Sequence, residues 1–265
     1  MKVAAIQCKV GVQDAFDSAL NLIKKGIESN VGLFLLPEYF SYQKDDDFSE
    51  KTRKTLKFLE DISREYSCII CGNVLIKRDK DDKYFNAAHL FKNGELIGIQ
   101  EKIHPTKTER ELKISCGNEV KVFNVSGIKL AILICADILY PELCRVAGLK
   151  KADIVLNPVV SFKNSELPAE NLRNCLYFTR SFDNAYAVVK AGGVGYTFLA
   201  QKTVGRSLIS TFDGILASYS NEESEELVYA EVDINKIRQY RGINYSLHDR
   251  NTNAYTELLS GNFDC

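Results

Sequence analysis

No sign of charge dominates this chain. Its 34 lysines and arginines meet 35 aspartates and glutamates, for a formal net charge of −1. It has no basic tract to hold nucleic acid and no acidic tail to act as a solvated arm. No apolar stretch approaches the roughly 18–20 residues of a membrane span. The opening residues, Met1 to Gln7, read as a strand rather than a secretion signal. Only three histidines occur in 265 residues, which argues against a metal cluster. No G-x-G-x-x-G follows the first strand and no G-x-x-x-x-G-K-[ST] is present, so nucleotide-binding folds lose ground. Repeats, low-complexity segments and linker-like breaks are lacking too. These absences predict a cytoplasmic protein that uses no metal or cofactor and binds neither nucleic acid nor membrane.

Cysteine is less scarce, with eight residues scattered along the chain. Without a secretion signal, reduced thiols are expected. Cys68 and Cys71 form a C-x-x-C, but Cys68-Ile69-Ile70-Cys71 reads as a buried strand whose alternation sends the two thiols to opposite faces. No second Cys or His pair follows at zinc spacing. Cys144 and Cys175 fall in predicted helices and read as packing residues.

Strand and helix patterns alternate throughout, predicting one α/β domain over residues 1–265, with two sheets or one large one. Helices are expected over Asp14–Ser29, with Asp14 as N-cap, over Ser49–Tyr66, from Pro141 and over Leu167–Phe182, with Pro168 near its start. Asn93-Gly94, Ser126-Gly127 and Asp213-Gly214 mark hairpins. Gly192-Gly193-Val194-Gly195 reads as a tight loop. Pattern alone does not separate a Rossmann-like sheet from a four-layer sandwich.

Three strand ends carry chemistry. Glu38 follows Leu33-Phe34-Leu35-Leu36-Pro37, Lys102 closes the run from Leu96 to Glu101, and Cys135 ends the run from Ile128 to Ile134. Amide hydrolysis needs a thiol activated by a base, a donor for the oxyanion, and a group that protonates the leaving amine and later activates water. Cys135 can be the nucleophile, Glu38 the base and later the acid, and Lys102 the oxyanion donor. The backbone N–H of Ala136 is the natural second donor. Asp137 is expected to order the turn after the nucleophile through backbone N–H groups, and His104 to be structural.

These segments resemble the nitrilase (carbon–nitrogen hydrolase) superfamily over nearly the whole chain. Leu35-Leu36-Pro37-Glu38-Tyr39 is similar to the catalytic glutamate segment, Glu101-Lys102-Ile103-His104 to the lysine segment, and Leu133 to Glu142 to the nucleophile segment. Ala152 to Pro158, Arg180 to Asn184, Gly205-Arg206-Ser207, Asp213-Gly214 and Leu247 to Arg250 follow in the family's order. The resemblance implies a four-layer α-β-β-α sandwich. It also implies a second active-site glutamate shortly after the lysine, for which Glu109 is preferred to Glu111. Ala136 departs from the aromatic or polar residue that many members carry there, which makes the substrate harder to infer.

By alignment to the family, Tyr39, Tyr140 and Val160-Ser161-Phe162 should wall the pocket. Those stretches hold no arginine, and Arg173 and Arg180 read as structural helix residues. A small neutral amide, cleaved through a Cys135 thioester, is therefore expected ahead of an N-carbamoyl compound, with a true nitrile behind both. A non-catalytic scaffold of the same fold is the contrasting class. The resemblance further implies a homodimer or higher homo-oligomer, packed through the segment after the nucleophile and the tail from Tyr240 to Cys265.

Overall fold

The computed structural model describes residues 1–78, 83–162 and 170–259. The first half runs β1 (Lys2–Gln7), β2 (Lys9–Val10), α1 (Ala15–Glu28), β3 (Leu33–Leu35), α2 (Phe48–Glu65), β4 (Ile69–Arg78), β5 (Lys83–Lys92) and β6 (Glu95–Glu101). Next come α3 (Lys107–Glu111), β7 (Val122–Val125), β8 (Ile128–Ile132), α4 (Pro141–Leu149), β9 (Ile154–Val159), α5 (Glu170–Asn184) and β10 (Ala187–Gly192). Then follow β11 (Val194–Tyr196), β12 (Lys202–Thr203), β13 (Leu208–Thr211), β14 (Gly214–Ser218), β15 (Glu226–Glu231), α6 (Ile234–Ile243) and α7 (Tyr245–His248). Cys135–Leu139 and Thr252–Leu259 are 3-10 turns.

Two six-stranded sheets form, in the orders β15-β1-β3-β4-β5-β6 and β14-β13-β10-β9-β8-β7. Alternation decides their packing. Val3, Ala5, Leu33, Leu35 and Cys71 of one sheet meet Leu130, Ile132, Ile154, Leu156 and Val189 of the other in a shared core. The opposite face of the first sheet, with Ala4, Ile6, Phe34 and Ile70, is covered by Ala19 and Ile23 of α1 and Leu59 and Ile62 of α2. The outer face of the second, with Ala131, Val155 and Val188, is covered by Cys144 and Ala147 of α4 and Tyr177 of α5. Burying each such Leu or Ile contributes about 1.5–3 kcal/mol relative to exposure. The result is the α-β-β-α sandwich.

Cys68 and Cys71 do fall on opposite sides of their sheet. Asn93 (φ 52°) and Gly94 (φ 82°) make a two-residue turn between β5 and β6, and Ser126 (φ 52°) and Gly127 (φ 82°) another between β7 and β8. Both residues of each pair sit in the left-handed region that such a turn requires.

Several expectations are corrected. Asp14 flanks α1, but its side chain makes no cap hydrogen bond and instead accepts from Lys9 Nζ at 3.3 Å. The Gly192–Gly195 stretch is not all loop: β11 begins at Val194, and Val194 and Gly195 pair with Lys9 and Val10. Cys175 is exposed, not packed. It lies off the face of α5 that carries buried Tyr177, Ser181 and Asn184. Six described cysteines are free, but Cys116 is disulfide-bonded, so the expectation of reduced thiols fails there. Leu167, Pro168 and Cys265 lie outside the described residues.

Candidate active site

Glu38 stands three residues past β3, Lys102 directly past β6, and Cys135 three residues past β8. The last strand is shorter than expected, although Leu133 N still donates to Leu156 O at 3.0 Å and carries the ladder one step on. β1, β3 and β4 run parallel, as do β8, β9 and β10, so these strand ends gather at one edge of the sandwich. Cys135 (φ 49°) opens a 3-10 turn, and Tyr39 (φ 55°) follows Glu38. Both non-glycine residues hold a left-handed conformation that costs about 1–2 kcal/mol. Such strain persists where the surroundings fix it.

Lys102 is buried between two carboxylates. Its Nζ donates to Glu38 Oε1 at 2.9 Å and to Glu109 Oε2 at 2.7 Å. Asn86 Nδ2 donates to the other side of the same pair, Glu38 Oε1 at 2.8 Å and Glu109 Oε1 at 2.9 Å. Asn73 holds Asn86 through a 2.7 Å bond, and accepts from Tyr39 N at 2.8 Å. Glu38 Oε2 accepts from Val160 N at 2.9 Å. The Cys135 thiol donates to Val160 O at 3.7 Å and interacts electrostatically with Glu38 and Lys102.

Glu109 is the better anchored carboxylate. It sits at the third position of α3 in a capping box with Thr106. Its Oε2 accepts from Thr106 N at 2.8 Å and Thr106 Oγ1 at 2.9 Å, and its Oε1 from Tyr39 OH at 2.9 Å. The T-x-x-E signature was legible in Thr106-Lys107-Thr108-Glu109, yet α3 itself was not expected.

The electrostatics follow from two carboxylates sharing one ammonium. Burial pushes Glu38 up, with Lys102 opposing and Glu109 adding to the rise. Burial also pushes Glu109 up, but Lys102 and the Thr106 and Asn86 hydrogen bonds outweigh it and leave Glu109 below its ordinary value. Burial presses Lys102 down, and Glu38, Cys135 and Glu109 together more than reverse it. Burial and the Glu38 charge push the Cys135 thiol up, with Lys102 opposing. The resting site is therefore a neutral thiol beside Glu38 and a fixed cation.

Asp137 does order the turn, and it reaches further than the turn. Its Oδ2 accepts from Ile134 N and Ile103 N, both at 3.2 Å, and its Oδ1 from His104 N at 2.8 Å. One carboxylate thus ties the lysine loop to the nucleophile loop. His104 Nδ1 lies 3.2 Å from the same Oδ1, and the ring stacks on Tyr140 at 3.6 Å between centroids. Arg180 donates to Ile138 O at 3.1 Å and Leu139 O at 3.2 Å, and Arg173 to Phe162 O at 3.4 Å. These helical arginines hold backbone carbonyls.

A cavity of about 120 Å³ opens on Cys135, Glu38 and Lys102. Tyr39, Val160 and Phe162 line it, together with Thr108, Phe198 and Gln201, which the sequence did not single out. Phe198 packs edge-on against Tyr39 at 5.2 Å between centroids. Ala136 and Tyr140 are not among the lining residues, and Tyr140 lies half-exposed on His104. Ala136 still presents its N–H in the first turn of a 3-10 helix, where intrahelical partners are lacking. Glu111, the lesser candidate, is exposed on α3. Among the described residues no group of three His, Cys, Asp or Glu side chains could hold a metal, and no helix is long and apolar enough to cross a membrane.

Comparison with known proteins comes to the same point. The family model described as carbon–nitrogen hydrolase matches residues 2–242. A nitrilase of Pyrococcus abyssi is 27% identical over 96% of this chain and 99% of its own. A deaminated glutathione amidase of Escherichia coli O157:H7 is 26% identical over 83% of this chain and 85% of its own. A solved carbon–nitrogen hydrolase from Helicobacter pylori G27 superposes with a TM-score of 0.87 at 21% identity, covering 98% of both chains. At that identity the superposition speaks to the fold.

Proposed function

The chain belongs to the carbon–nitrogen hydrolase family, and on that premise we propose that it is an amidase, cleaving a small neutral carboxamide to the acid and ammonia through a thioester at Cys135. One observation carries this reading: Cys135, Glu38 and Lys102 line one cavity, with Lys102 Nζ donating to Glu38 Oε1 at 2.9 Å.

In this reading Glu38 takes the thiol proton as sulfur attacks the carbonyl carbon. The oxyanion is met by Lys102 and the Ala136 N–H. Glu38 then gives its proton to the nitrogen, the C–N bond breaks and ammonia leaves. A water enters, loses its proton to Glu38 and attacks the thioester, and the thiol leaves with its proton restored. Glu109, crowded by donors and held ionised, stays out of this proton traffic. It fixes Lys102 and compensates its charge. Among the described residues lining the cavity Lys102 is the only cation, and it is already paired with two carboxylates. That supports a neutral acyl group over a carboxylate-bearing N-carbamoyl amino acid.

The test is ammonia release from a panel of short amides such as propionamide and butyramide, beside the Cys135→Ala variant. Turnover by the native chain and none by the variant is expected. Silence of the native chain across the panel, or equal rates in both, overturns the reading.

We also propose a homodimer. Leu139, Ile243, Tyr245, Leu258 and Leu259 are exposed by 58%, 71%, 79%, 62% and 90%. α4, α7 and the 3-10 turn Thr252–Leu259 enclose a groove, lined by Pro141, Arg145, Leu149, Tyr245 and Tyr255 among others. A second copy across this face would cover both. Light scattering at micromolar concentration is expected to give twice the chain mass, and deletion from Leu247 onward to weaken it. A monomer of undiminished activity would refute it.

A further inference from the structure

Beneath the nucleophile, on the side away from the cavity, lies a second set of buried polar groups that the reaction above does not use. Asn157, in β9, is fully buried. Its Nδ2 donates to two backbone carbonyls, Leu133 O and Cys135 O, the latter at 3.3 Å. One amide thus spans the bend by which the chain leaves β8. Its Oδ1 accepts from Tyr177 OH at 2.9 Å. Tyr177, on α5, is buried and stands outside the lining of the cavity. On the same ring sits a buried lysine: Lys190 Nζ lies 5.6 Å from the Tyr177 centroid and donates to Arg206 O at 2.7 Å.

The orientation of the amide is the point of leverage. Turned by half a rotation, Asn157 would set its oxygen against two carbonyl oxygens and lose both bonds at the nucleophile. The amide alone supplies only part of the preference, because its oxygen needs a donor in a site without solvent. Tyr177 supplies that donor. Lys190, packed over its ring, resists movement of the ring. Cys135 for its part holds φ 49°, a conformation that persists only while its neighbours fix it. Among the groups that fix it are Asp137, through Ile134 N, and Asn157, through Cys135 O.

We propose that Tyr177 is a positioning residue for the nucleophile: by locking the Asn157 amide it holds the Cys135 carbonyl, and so keeps the thiol aimed at Glu38. This rests on the reading of Cys135 as the nucleophile. It predicts an effect confined to the chemical steps. Tyr177 touches no part of the cavity, so substrate affinity is spared, whereas a thiol displaced from its base reacts slowly.

The experiment compares Tyr177→Phe, Asn157→Ala and the double variant, all in a Cys175→Ser background so that Cys135 reactivity is read without the exposed thiol. Tyr177→Phe keeps the ring and the packing and removes one oxygen. On a short amide, kcat is expected to fall about ten- to hundredfold with KM within about twofold. The second-order rate of Cys135 alkylation by iodoacetamide should fall in parallel. Because Tyr177 acts through Asn157, adding Tyr177→Phe to Asn157→Ala should produce no further loss. A folded Tyr177→Phe that retains kcat and the alkylation rate within twofold overturns the proposal, as do losses that multiply in the double variant. The alkylation rate needs no substrate. Failure of the amide panel would therefore sink the activity reading while the positioning of Cys135 was still being measured.

Discussion

Glu109 Oε2 accepts the Lys102 ammonium at 2.7 Å while the other oxygen of the same carboxylate accepts the Tyr39 phenol at 2.9 Å. The carboxylate also closes the capping box of α3 by accepting from the N-cap Thr106, and both jobs fall to one residue because the lysine loop turns straight into that helix. Glu109→Gln keeps the shape but removes the charge that balances Lys102, and turns a donor group either toward Lys102 and Thr106 or toward Tyr39 and Asn86. A fall in kcat/KM of about 100-fold is expected. Glu111→Gln, on the exposed side of the same helix, should stay within about twofold. Steady-state kinetics on both variants check this, and a larger loss at Glu111 would move the second glutamate two residues on.

What the sequence revealed and what it hid divide along a physical line. Glu38, Lys102 and Cys135 were legible because each ends an apolar run, and a charged or reactive group there stands out. Glu109 was legible from its distance to Lys102, and the Thr106–Glu109 capping signature reinforces it. Asn86 and Asn73 were not. Their importance comes from β4 and β5 pairing antiparallel, which sets two buried amides side by side under the carboxylates. Each is a lone amide in an apolar strand until that register is known. Tyr177 and Asn157 meet across a helix and a strand twenty residues apart, and nothing in their local pattern marks the contact. The exposure of Cys175 likewise depends on which way α5 is turned, which periodicity alone left open.

The thiols separate by environment. Cys135 is expected to rest as a neutral thiol, since burial and Glu38 both push it up, and to react through Glu38 rather than as a free thiolate. Cys175 is exposed. Iodoacetamide should therefore label both, with activity lost only as Cys135 is labelled. Cys175→Ser should keep full activity, and Cys135→Ala should fold with none. Peptide mass mapping against residual ammonia release checks the pairing. Activity that tracks Cys175 labelling would contradict it.

Substrate preference turns on the cations lining the cavity, of which Lys102 is the only one among the described residues. Matched pairs of a short amide and an N-carbamoyl amino acid should favour the amide. A tenfold preference corresponds to about 1.4 kcal/mol of transition-state discrimination. Phe198 and Tyr39 pack edge-on at one wall, so Phe198→Leu should loosen it and raise kcat/KM for longer acyl chains relative to propionamide. A tenfold preference for the carbamoyl compound would leave the thioester chemistry in place and reverse the substrate assignment.

Two buried bases set the pH dependence of stability, one on each side of neutrality. Burial lowers His89 from 6.5 to about 4, against a weaker pull from the Ala87 carbonyl. Between those values the unfolded chain binds the proton and the folded one does not, so stability is full above pH 6.5 and is lost as pH falls toward 4. Burial likewise lowers Lys190 from 10.5 to about 7, with Arg173 and Arg206 adding to the fall and Cys135 opposing it. The same sign applies. The unfolded lysine holds its proton through this range, so stability should rise as pH climbs above 7 and the buried ammonium is discharged. The rise is cut off near pH 9, where unfolded cysteines begin to ionise while burial keeps Cys8 and Cys71 protonated in the fold. Thermal melts from pH 4 to 9 should show both slopes. Lys190→Met should raise the melting temperature at pH 6 and flatten the curve between pH 7 and 9, leaving the acid limb unchanged. A variant that melts lower at pH 6, with the native slope intact, would mean that the charge on Lys190 is accommodated in the fold at no cost.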